Sequence, residues 1–97
     1  MKWKAAVEGH DADLAIMREH FASPSSPRGI VFAADDHGTY MEADRLDQCS
    51  DDDRPAVAAQ ILREMSWIAR LLDSDFRPVA LGHRYWDGSG SVQIFVR

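Results

Sequence analysis

From Arg54 to Asp73 the chain reads as one long helix carrying more apolar residues than a single helix face can hold. Ser50, Asp51, Asp52 and Asp53 precede it and Pro55 opens its first turn, the usual signature of a helix start. At about 100° per residue, Val57, Ile61, Met65, Ile68 and Leu72 form one stripe, which a sheet could cover. Trp67, Gln60, Leu71 and Glu64 fall roughly 120°, 100°, 80° and 60° to one side of Ile61, and Leu62 falls roughly 100° to the other. Trp67 and Leu71 therefore need a second cover. A neighbouring helix of the same domain would serve, and so would an interface, where a tryptophan among polar residues is a common anchor.

The remainder of the chain limits what that helix can pack against. Ninety-seven residues, 45% hydrophobic and 28% charged, suffice for one compact domain with one modest core, over residues 1–97. A net charge of −5, with the eleven Lys and Arg scattered, argues against nucleic acid and anionic membrane as partners. No apolar run approaches the roughly 20 residues that span a bilayer. The N-terminus turns charged at Glu8 before any leader-like hydrophobic region develops. Cys49 is the only cysteine and cannot form an internal disulfide, which fits a reducing cytoplasm.

Trp3, Ala5 and Val7 alternate with Lys2, Lys4 and Glu8, as in a half-buried strand. Asp11 is placed to cap a short helix over about Asp11 to Phe21, with Leu14, Met17 and Phe21 on its inner stripe. Ala22 to Gly29 is rich in Pro, Ser and Gly and reads as a surface loop. Ile30 to Ala34 and Thr39 to Ala43 form a hairpin about the turn Asp35-Asp36-His37-Gly38. Asp44 to Asp53 is polar and acidic. After the long helix, a strand centred on Val79, Ala80 and Leu81 within Phe76 to Trp86 joins Val92, Ile94 and Val96 through the turn Asp87-Gly88-Ser89-Gly90.

The resulting order, β-α-β-β-α-β-β, predicts an α+β two-layer sandwich of about five mostly antiparallel strands with two helices on one face. Its first six elements match the order of ferredoxin-like folds, although order alone does not fix how the strands neighbour one another.

Motifs with chemistry are scarce. His10, His20, His37 and His83 form no HxxxH or HExxH pair. Asp35, Asp36, Asp44, Asp47, Asp51, Asp52 and Asp53 lack the alternation and closing glutamate of a calcium loop, and capping and turn formation account for them. Cys49 sits beside aspartates whose field disfavours a thiolate. Gly-rich phosphate loops and a GxSxG elbow are absent. No catalytic, cofactor or metal residue is therefore assigned, and no cofactor is expected.

Met1 to Gly9, Asp13-Leu14, Phe21, Asp36 to Tyr40, Ile61-Leu62 and Pro78-Val79-Ala80-Leu81-Gly82 together resemble the N-terminal part of longer bacterial proteins of unknown function. The resemblance implies that this α+β module is followed by a more helical segment, consistent with a strand pattern that runs to Val96 and Arg97. It contains no catalytic motif and carries no functional residue over.

The expectation is a non-enzymatic association module, acting as a homodimer or by docking onto the rest of a longer chain. Trp67, Leu71, Gln60 and Glu64 are its candidate interface residues. The alternative is a small-molecule sensor with Tyr40, His83 and Tyr85 near its pocket. A metal-dependent hydrolase built on His10, Asp35, Asp36 and His37 ranks last.

Overall fold

Lys4–Glu8 (β1), expected to be half-buried, has Ala5, Ala6 and Val7 all buried and lies inside the sheet, where it pairs antiparallel with two other strands. The computed structural model describes residues 3–22, 29–36, 38–87 and 93–95, with His83 and 93–95 described by their backbone alone. The further elements are α1 (Asp11–Phe21), β2 (Val31–Asp35), β3 (Gly38–Glu42), α2 (Asp44–Gln48), α3 (Arg54–Leu72), β4 (Ala80–Trp86) and β5 (Gln93–Phe95). Their order in the sheet is β2-β3-β1-β4-β5, every neighbouring pair antiparallel. In the unit β1-α1-β2 the strand β3 is inserted between the two β strands. In β3-α3-β4 the inserted strand is β1. These two split βαβ units make the ferredoxin-like arrangement, with β5 added outside β4.

The register explains where the core lies. Phe32, Met41, Ala5 and Tyr85 stand opposite one another across β2, β3, β1 and β4, forming a row on the face that meets the helices. Leu14, Met17 and Phe21 of α1 and Ile61, Leu62, Met65 and Ala69 of α3 close over that row. Phe21 packs on Phe32 with ring centroids 5.7 Å apart. Full burial of a side chain such as Phe32 or Ile61 is worth about 1.5–3 kcal/mol, so this layer supplies most of the fold's stabilisation.

Across the sheet, Lys4 Nζ lies 4.4 Å from the Tyr40 ring centroid and 3.2 Å from Asp35 Oδ2. Tyr40 in turn meets the buried Trp86 edge-on at 6.0 Å. Trp86 is thus buried on the side away from the helices.

β1 and β4 lose their regular register between Ala5 and Val7. Gly82 lies beside this bulge, and a Cβ there would stand 3.0 Å from Ala6 Cβ and 3.1 Å from Ala6 O. The hairpin between β2 and β3 closes with Asp35 opposite Gly38, whose φ of 104° favours glycine.

Several local expectations change. The acidic stretch after Ala43 contains a third helix, α2, because Leu46 is fully buried and pins it to the core. His10 rather than Asp11 occupies the cap of α1, and no side chain caps that helix. The useful carboxylate is Asp13, buried, whose Oδ1 accepts a hydrogen bond from the Arg77 amide at 3.1 Å. The strand β4 starts at Ala80, later than expected, since Pro78 has no amide hydrogen to give a ladder. The expected loop segment 23–28 and the turn segment 88–90 lie outside the described residues, as do Val92 and Val96.

Candidate contact face on helix α3

The inner face of α3 is set by small residues as much as by large ones. Ala58, Ile61, Leu62, Met65 and Ala69 are buried, whereas Val57 and Ile68 only border the core and Leu72 is 57% exposed. The buried face is therefore rotated by roughly 60° from the stripe centred on Ile61, toward Leu62. Ala58 and Ala69, both fully buried, lie at the centre of this rotated face.

The rotation leaves the opposite side of α3 in solvent. Trp67 is 64% exposed and Leu71 69%, even though α1 packs against α3. Gln60 is exposed on the same side. Glu64 sits at the margin, where its Oε2 accepts a hydrogen bond from Arg45 Nη1 of α2 at 3.4 Å. That half-exposed ion pair is worth at most about 1 kcal/mol, and it links Glu64 to α2.

Beside Trp67, α3 and the segment leading into β4 enclose a groove of about 350 Å³. Leu62, Pro78, Val79 and Leu81 make it apolar, while Arg63, Ser66 and Arg70 bring polar groups to its wall. Ser66 is buried, and its Oγ has no hydrogen-bond partner among the described residues, an arrangement that ordinarily costs about 1–3 kcal/mol. Arg63 and Arg70 are exposed and form no ion pair among the described residues. These three residues went unselected in the sequence, although Arg63, Ser66, Trp67 and Arg70 have the i, i+3, i+4, i+7 spacing that places side chains along one helix flank.

The other candidate residues are dispersed. Asp35 is engaged by Lys4, His10 Nε2 lies 3.3 Å from Arg77 Nη1, and His37 is outside the described residues. Among the described residues no group of three His, Cys, Asp or Glu side chains is close enough to hold a metal ion. Tyr40 and Tyr85 point to opposite faces of the sheet, because Tyr40 is in register with Ala6 and Tyr85 with Ala5. They do not frame one pocket, and the side chain of His83 is outside the description. Burial pushes the Tyr85 hydroxyl up to about 12, against the opposing influence of Arg54. Cys49 Sγ donates to the Leu46 carbonyl at 3.4 Å. Asp47 accepts from the Trp3 amide at 2.6 Å and Asp51 from Arg54, so part of the acidic stretch ties down backbone and a buried cation.

Comparison with protein families, characterised proteins and solved structures finds no match to this chain.

Proposed function

We propose that this domain is a non-enzymatic protein-association module whose contact surface is the outer side of α3. The observation that carries the reading is the exposure of Trp67 and Leu71 on a helix whose inner face is already filled. Exposed apolar residues contiguous on one helix are a recurrent feature of association surfaces, and tryptophan is the residue type most often energetically dominant there. A second copy of the chain, or the remainder of a longer bacterial protein, would cover the patch. A cytoplasmic setting suits the lone Cys49, and among the described residues no helix is long and apolar enough to cross a membrane.

Sedimentation across a concentration series tests the reading. A concentration-dependent dimer that Leu71→Lys and Trp67→Glu each return to monomer supports it. Docking within a longer protein would instead appear as a blue shift of the Trp67 contribution, isolated by difference from Trp67→Phe, on lengthening the chain. A monomer at every concentration, with Trp67 emission unchanged in the longer protein, refutes it.

A further inference from the structure

We infer that the groove between α3 and the segment entering β4 is a binding site for a small amphipathic carboxylate, with an apolar tail in the groove and its charge at Arg63 and Arg70. The inference goes beyond the association reading; the groove shares Trp67 with that surface and otherwise lies on the neighbouring flank of the helix. Leu71 does not line the groove, whereas Arg63, Ser66 and Arg70 do.

Three observations choose the occupant. Volume comes first: about 350 Å³ lies at the lower end of the range for small-molecule pockets and holds a short aliphatic or aryl tail. The lining by Leu62, Pro78, Val79, Leu81 and Trp67 then selects that tail to be apolar.

Charge decides the head group. Lys4, Arg45 and Arg54 each engage a carboxylate. Arg63 and Arg70 form no ion pair among the described residues, yet both line the same groove, two helical turns and about 10.5 Å of axial rise apart. Two free guanidinium groups beside an apolar trough complement a carboxylate with a hydrocarbon body, and they repel an amphipathic cation.

Ser66 supplies a further polar group. Ser66 lines the groove while its hydroxyl is buried without a partner, and a turn about χ1 toward the groove would let it donate to a carboxylate oxygen. An extended anion such as nucleic acid does not fit, because two arginines cannot offset the repulsion of a protein with net charge −5.

The probe is decanoate, compared with decanol and decyltrimethylammonium by calorimetric titration below the concentration at which each aggregates. Saturable one-to-one binding of decanoate, a blue shift of Trp67 emission and no saturable binding of the cation are expected. Arg63→Gln and Arg70→Gln should each weaken decanoate about tenfold or more and flatten its salt dependence, with circular dichroism unchanged.

Ser66→Ala gives a result that a purely structural role would not. It should raise the melting temperature of the free protein by removing an unpartnered buried hydroxyl, while lowering decanoate affinity several-fold. Leu71→Lys separates the two readings, since it should abolish association and leave decanoate binding intact. Equal binding of the three probes, or undiminished decanoate binding by the double arginine variant, overturns the inference whatever the association state.

Discussion

The Arg54 guanidinium lies 3.9 Å from the centroid of the Trp3 ring, joining the start of α3 to the start of β1. Arg54 is only 4% exposed, and each of its three side-chain nitrogens makes a hydrogen bond. Nε donates to the Leu46 carbonyl at 3.0 Å, Nη2 to the Cys49 carbonyl at 3.4 Å, and Nη1 to Asp51. One side chain thus holds α2, the turn after it and the edge of the core. Arg54→Ala leaves two carbonyls without their donor and uncovers Trp3, for an expected loss of about 2–4 kcal/mol in urea unfolding. Arg54→Lys should recover little of this, because an ammonium cannot donate along three diverging directions from a planar fork.

Tyr85 gives the alkaline limb of stability. Its folded-state hydroxyl titrates near 12 against an ordinary value of 10, so the folded protein holds this proton more tightly than the unfolded chain does. The contribution is complete below pH 10 and is lost as pH rises toward 12, because ionisation there favours the unfolded state. Tyrosinate absorbance should show one of the two tyrosines ionising together with loss of structure, and Tyr85→Phe should remove that step.

Gly82 of β4 faces Ala6 of β1 with no room for a side chain. Gly82→Ala drives a methyl group against Ala6 Cβ and the Ala6 carbonyl, and should cost about 1–3 kcal/mol. Adding Ala6→Gly relieves the first clash and leaves the second, so a double-mutant cycle should show partial rescue.

Asp13 ties α1 to the chain leaving α3. Asp13→Ala strands the Arg77 amide, at an expected cost of about 1–3 kcal/mol, while Asp13→Asn keeps an acceptor oxygen and should cost less. Amide hydrogen exchange at Arg77 checks this directly, since protection should fall in the alanine variant and persist in the asparagine one.

What was legible in the sequence was whatever local periodicity controls. The bounds of α1 came out residue for residue, and α3 within one residue at its end, because each carries its own apolar repeat. β1, β3 and β5 were readable from alternation and β2 and β4 from short apolar runs, but their order depended on pairings between distant segments that no window contains. The helix α2 escaped notice because a single residue, Leu46, anchors it. Arg54 escaped because a charged residue at a helix start ordinarily faces water, and only the tertiary structure surrounds it with carbonyls. The groove by Ser66 was hidden for the same reason: one wall belongs to α3 and the other to Pro78, Val79 and Leu81, which the topology alone brings together.

The position of β1 has a consequence for how the molecule comes into being. Its first residue, Lys4, stands opposite Trp86, so β1 gains its second neighbour only when the chain has been made as far as β4. Until then Ala5 and Val7 have a half-built sheet to rest on, with one flank of the central strand unpaired. Such long-range closure slows folding relative to a helical bundle of similar size. During synthesis the domain should therefore reach its cooperative structure late and in one step, with β4 as the strand that completes it.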